Sequence, residues 1–174
     1  MSYIAIQGIY RDRLLGPSGL TISDSGWRPN MIVMRCRVLL SGFLKGDNTA
    51  LGIQALQVGR GDPNWDTNPP PLPDPNTLSA LVDVNKVEIL ANQLKLEYLD
   101  SGDNVVIPPT NRLQITATLG PGVPASPPNT PFPLREFGLF GQFSGARQMI
   151  DYIRHPLIEK DATMTLERKV RLIF

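Results

Sequence analysis

The sequence predicts an α+β fold that is mostly β: an antiparallel, β-sandwich-like sheet with one helix from the N-terminal half packed on it. Three observations predict it. Residues 112–119 and 164–174 alternate apolar and polar side chains with the period of a half-buried strand. Residues 30–45 carry apolar side chains at helical spacing. The 15 glycines and 17 prolines among 174 residues exceed ordinary usage and call for many turns.

Taken in order, residues 1–28 open with an apolar stretch, Tyr3 to Tyr10, then Arg11-Asp12-Arg13 and two turn-rich runs, 16–19 and 23–26. This part reads either as an arm docking onto a neighbour or as an edge strand. The expected division is an arm or extension over 1–28 and a single β-rich domain over 29–174. Over 30–45, Asn30 offers an N-cap and Gly46 a stop, while Ile32, Cys36, Leu39, Leu40 and Phe43 share one face. Met34, Cys36 and Val38 alternating with Arg35 and Arg37 is a competing strand pattern, and the length decides for a helix. Gly42 inside it costs about 1 kcal/mol against Ala. Residues 52–60 read as a strand.

The stretch from Gly61 to Asn76, with a Pro-rich loop at 67–76, is extended and is no central strand, because proline lacks the amide donor. Thr77–Val84 reads as a short helix or turn. Residues 86–99 show two strand phases, Val87, Ile89 and Ala91 and then Leu94, Leu96 and Tyr98, which predicts a bulge or bend. A turn at 100–103 precedes a strand with Leu113, Ile115, Ala117 and Leu119 inward. Gly120–Pro133 is a second loop, and 134–140 and 147–154 are strands. In the last strand Leu166, Val170 and Leu172 share a face with Arg168, and Glu167, Lys169 and Arg171 lie opposite.

Composition excludes several classes of chemistry. With 17 basic and 16 acidic residues the net charge is +1, which argues against a nucleic-acid partner. No secretory signal and no membrane-spanning apolar run is visible, so assembly in a cytoplasm without membrane insertion is expected. The single cysteine, Cys36, forms no intrachain disulfide and reads as a buried thiol. His155 is the one histidine, so a Cys/His zinc site is not expected. Asp62-Pro63-Asn64-Trp65-Asp66 opens like a calcium loop, but Thr67 and Pro73 stand where Gly and Glu are needed; a looser calcium site at Asp62 and Asp66 stays open. Gly138, Gly141 and Gly145 make no phosphate loop and read as bends at strand ends. Glu136, Glu159, Asp161 and Glu167 read as a solvated face. No catalytic residue, cofactor, metal or small-molecule substrate is expected.

Five segments carry a resemblance: Gly26-Trp27-Arg28-Pro29-Asn30 with the apolar run to Leu40, Val58 to Asp66, Pro109 to Ala117, Leu134-Arg135-Glu136-Phe137-Gly138-Leu139-Phe140-Gly141, and His155-Pro156 through Lys160 to Arg168. Together they resemble the attachment modules of tail fibres and baseplates in phage tails and phage-tail-like contractile injection particles. The fourth segment is the most specific. The resemblance implies a non-enzymatic structural part of a virion or phage-tail-like particle, with other tail, baseplate or fibre proteins as partners. It also implies a homo-oligomer, a trimer among its candidates. No repetitive shaft or receptor-binding domain follows Phe174, so an attachment module is expected rather than a whole fibre.

The residues expected to make protein contacts are Trp27, Trp65, Arg135, Glu136, Phe137, Phe140, His155 and Arg168. Arg168, a charge on an apolar face, needs a partner, and Glu136 is the expected one. The alternative is a carbohydrate- or surface-ligand-binding β-sandwich with Trp27, Trp65 and Tyr98 as stacking platforms.

Overall fold

Alternation drives the architecture. In Gln7–Leu15 every second side chain from Gly8 to Leu14 is buried, and in Thr165–Ile173 the buried set is Leu166, Arg168, Val170 and Leu172. Each stretch therefore forms a strand with one face on a core. The computed structural model describes residues 5–174. In chain order its elements are β1 (Gln7–Leu15), β2 (Thr21–Asp24), β3 (Arg28–Pro29), β4 (Met31–Ile32), α1 (Met34–Lys45), β5 (Leu51–Gly59), β6 (Val87–Leu90) and β7 (Leu94–Leu99). Then follow β8 (Val105–Val106), β9 (Arg112–Leu119), β10 (Phe132–Phe143), β11 (Ala146–Met149), β12 (Asp151–Lys160) and β13 (Thr165–Ile173).

Two antiparallel sheets result. The first has the order β2-β1-β13-β9-β7-β8, with β3 also on β1; the second has β4-β12-β10-β5-β6, with β11 on β10. They pack as a sandwich over a shared core in which Tyr10, Ile115, Leu166 and Val170 of the first sheet meet Leu56, Val58, Phe137 and Leu139 of the second. A smaller cluster of Val33, Leu81, Phe140, Met149 and Tyr152 forms beside it. Phe137 and Leu139 belong to the main core and Phe140 to the smaller one, so β10 is buried on both faces.

The N-terminal stretch is no separate arm from Gln7 onward. β1 is paired along its whole length with β13 and carries β2 and β3 on its other side, so residue 28 marks no boundary; residues 1–4 lie outside the described residues. The phase change in 86–99 has a larger cause than a bulge. β6 belongs to the second sheet and β7 to the first, and the chain crosses between them through a 3-10 turn at Ala91–Gln93.

The helix starts later than expected. Val33 is its N-cap, without a side-chain cap, whereas Asn30 donates to Asp151 Oδ2 at 2.7 Å. Gly46 does stop it, in the left-handed region at φ 77°. The long connection from β5 to β6 holds only a 3-10 turn at Pro63–Asp66, and Thr77–Val84 forms turns and bends rather than a helix. This connection folds back over β10: the Met34 amide donates to the Pro75 carbonyl at 2.9 Å, and Leu78 and Leu81 join the smaller cluster.

β12 bulges where it faces β10. Leu134 pairs with Ile158 and Glu136 with Arg154, so Arg135 alone faces the run His155-Pro156-Leu157.

Gly138 and Gly141 lie inside β10, not at strand ends. A Cβ on Gly138 would sit 2.6 Å from the Asp151 carbonyl oxygen, a backbone atom that cannot swing away. Gly138→Ala is therefore expected to destabilise the fold by about 1–3 kcal/mol, measured as a lowered urea midpoint.

Candidate functional site

The centre of the sandwich holds an ion pair that strand register dictates. Arg168 lies fully buried between Leu166 and Val170, where a guanidinium without compensation would cost several kcal/mol. Asp12 stands directly opposite it on β1. The two form a bidentate pair, Nε to Oδ1 at 2.7 Å and Nη2 to Oδ2 at 2.8 Å. Nη2 also reaches His155 Nε2 at 2.9 Å. His155 Nδ1 lies 2.8 Å from the Pro156 carbonyl, which only accepts, so Nδ1 carries the ring proton and Nε2 accepts from Arg168. The guanidinium carbon lies 3.6 Å from the Phe137 ring centroid, and Tyr10 meets the same ring edge-on at 5.5 Å.

The expected Glu136–Arg168 pair is thus overturned. Neighbours on a strand point to opposite faces. Phe137 lies under Arg168, so Glu136 turns to the other face. There it is fully buried rather than part of a solvated face. It accepts from the Asp83 amide at 2.7 Å, the Val82 amide at 3.1 Å and the Tyr152 hydroxyl at 3.0 Å. Arg135 holds the other end of the same connection. It forms a bidentate pair with Asp66, at 2.8 and 2.7 Å, and donates to the Arg60 carbonyl at 3.0 Å. Arg135 holds the Asp66 carboxyl below the usual carboxylate range, and Asp62 accepts from the Asn64 amide at 2.9 Å.

Six of the eight expected contact residues, Arg135, Glu136, Phe137, Phe140, His155 and Arg168, are therefore interior. As surface contacts they are corrected; their work is to hold strands, sheets and the long connection in place. Trp27 and Trp65 remain half-buried at the surface. Each ring has a guanidinium over it, Arg171 at 4.0 Å from Trp27 and Arg154 at 5.0 Å from Trp65, which reduces their use as stacking platforms.

Two buried residues escaped the sequence reading. Asp12 was visible only as one of three successive charges, although it continues the inward set Gly8, Tyr10, Leu14. Asp151 interrupts the apolar run Met149-Ile150 and Tyr152-Ile153. Its Oδ1 accepts from the Leu139 amide at 2.7 Å. Burial pushes the Asp151 carboxyl up to about 7, against the pull of that amide and of Arg168. Burial, with the charge of Arg168, brings His155 down to about 4. Burial also pushes the Cys36 thiol up to about 11, which leaves it a protonated, unreactive group. Among the described residues no three His, Cys, Asp or Glu side chains gather as a metal site requires. No described helix is long and apolar enough to cross a membrane.

The surface feature with the clearest chemistry lies at the open end of the sandwich. An apolar pocket of about 350 Å³ lies among α1, β5 and the first sheet, walled by Leu39, Leu40, Phe43, Ile53, Leu113 and Leu172, among others. Register turns Leu96 and Tyr98 inward, opposite Ile115 and Leu113. Yet they stay 43% and 38% exposed, and Phe174 is 39% exposed beside them. Leu44, at 92%, projects from the end of α1.

Asp12→Asn, which leaves Arg168 buried without a counter-charge, is expected to cost about 3–5 kcal/mol in urea unfolding. The pH dependence carries a second expectation. Asp151 binds its proton in the folded state below about 7 and in the unfolded state only below 3.8, so its contribution weakens as pH rises through that window. His155 takes a proton when unfolded below 6.5 and when folded only below about 4, so its contribution weakens as pH falls. Between about 4 and 6.5 the two oppose each other. Asp151→Asn should therefore expose a stability that rises with pH by roughly 1.4 kcal/mol per pH unit, and His155→Gln the reverse slope, both read from urea midpoints across that range.

No protein-family model, no curated protein and no solved structure matches this chain.

Proposed function

We propose that the chain is a non-enzymatic structural component of a phage tail or phage-tail-like contractile injection particle, which attaches to baseplate or fibre proteins through the open end of its sandwich. The observation that carries this reading is the apolar pocket and its rim. Leu96, Tyr98, Phe43 and Phe174 present large apolar side chains to solvent around one cavity, and a contiguous apolar patch of this kind marks a protein contact. Two further facts support it. The buried side chains Asp12, Glu136, His155 and Arg168 hydrogen-bond to each other, to Tyr152 and to backbone, as in a scaffold. The Arg135–Phe140 run, the most specific part of the resemblance to attachment modules, lies in the doubly buried strand at the centre of the second sheet.

The experiment is incorporation into particles. The chain, produced in cells that assemble the particle, should sediment with it and appear in its mass spectrum. Leu96→Asp combined with Tyr98→Asp should leave the protein folded by circular dichroism but shift it to the unassembled fraction. A chain that remains monomeric and absent from purified particles, or a double variant that incorporates as well as the wild type, contradicts the reading.

A further inference from the structure

The outer face of the first sheet carries a different surface. Between β1, β13 and the turn bearing Trp27 lies a hollow of about 120 Å³, walled by Arg11, Arg13, Lys169, Arg171, Glu167 and Trp27. Four cations and one carboxylate thus wall it, and Asp24 pairs with two of the cations from outside that wall. Register sets Arg11 directly opposite Lys169, a like-charge pair that destabilises a sheet unless something compensates it.

Two of the cations are compensated. Arg11 holds Asp24 in a bidentate pair at 2.9 and 2.6 Å. Arg171 pairs with Asp103 at 2.9 Å, donates to Gln114 at 2.9 Å and lies over Trp27. The other two are held more loosely, by ion pairs of 3.6 to 3.8 Å. Among the described residues Arg13 hydrogen-bonds only to the Thr21 hydroxyl, at 3.2 Å, and makes long ion pairs with Asp24 and Glu167, at 3.8 and 3.7 Å. Lys169 makes no hydrogen bond among the described residues and meets Glu167 Oε1 only at 3.6 Å. Among the described residues that same oxygen has no hydrogen-bond partner, so one carboxylate is shared between two cations through long ion pairs and hydrogen-bonds to neither.

We propose that this hollow is a docking site for an acidic segment of a partner protein, whose carboxylate enters between Arg13 and Lys169 beside Trp27. Charge complementarity selects the partner. The cations converge on one small hollow instead of forming the long stripe that a nucleic-acid backbone needs, and the chain as a whole carries only +1. Glu167 is the intramolecular competitor: it partly occupies both cations and tunes how tightly an incoming carboxylate is held. This surface is on the outer face of the first sheet, whereas the apolar pocket opens on its inner face.

The test is titration of the full chain with fluorescein-labelled hexaglutamate at low salt, followed by anisotropy. Saturable binding that added salt releases is expected. Lys169→Glu should weaken it about fivefold. Glu167→Gln should tighten it, a gain that a damaged fold cannot produce. Lys86→Glu, an exposed charge outside the hollow, should change nothing. Absence of binding by the wild type, weakening by Glu167→Gln, or equal weakening by Lys86→Glu overturns the proposal. Duplex DNA that displaces the peptide as well as unlabelled hexaglutamate does also overturns it. Any of these results leaves incorporation through the apolar pocket intact, because that experiment reads different residues.

Discussion

The bidentate contact between Arg168 and Asp12 is the constraint on which the rest of the sandwich depends. It joins β1 to β13 inside the first sheet, and through His155 and the Phe137 ring it reaches β12 and β10 of the second. Hydrophobic burial alone is indifferent to the exact facing of two sheets, because one apolar side chain slides against another at small cost. A guanidinium held by a carboxylate, an imidazole nitrogen and an aromatic face is not indifferent. A slip of one residue in β13 would turn Arg168 to solvent and leave Asp12 buried and alone. The cluster thus specifies register at the place where the sheets meet.

Arg135 and Glu136 play a related part on the long connection between β5 and β6. That segment is rich in proline and forms no sheet, so little of its own hydrogen bonding fixes its path. Adjacent residues of a rigid strand hold it at two points instead, Arg135 near Asp66 and Glu136 near Val82 and Asp83. Once held, the connection covers β10 with Leu78 and Leu81 and completes the smaller apolar cluster. Adjacent opposite charges in the middle of an otherwise apolar strand therefore reflect two separate anchors rather than one ionic contact.

Much of the fold was legible in the sequence because its signals are local. The alternation in 112–119 and 164–174, the stop at Gly46 and the break near Asn92 all arise from neighbouring residues. The break was visible but not its meaning: a phase shift looks the same whether a strand bulges or the chain changes sheets. The partner of Arg168 was not legible either, since Asp12 lies at the far end of the chain and only the pairing of β1 with β13 brings them together. The same holds for the candidate surfaces. Leu96 and Tyr98 carry the pattern of core residues, and their exposure shows only in the folded structure. The hollow of cations exists only because Arg11 and Lys169 share a rung of the ladder.

The bulge in β12 governs how this sheet can meet other chains. β4 covers β12 only at Asp151 and Tyr152, which leaves the rest of that edge without a strand neighbour among the described residues. An open edge invites another strand to extend the sheet, a route to unlimited fibres. Here Pro156 offers no amide proton, and the extra residues around it throw the edge out of step with any regular strand. Proline and the bulge thus disfavour growth by sheet continuation on this side, so this edge resists the pairing that an open, regular strand invites.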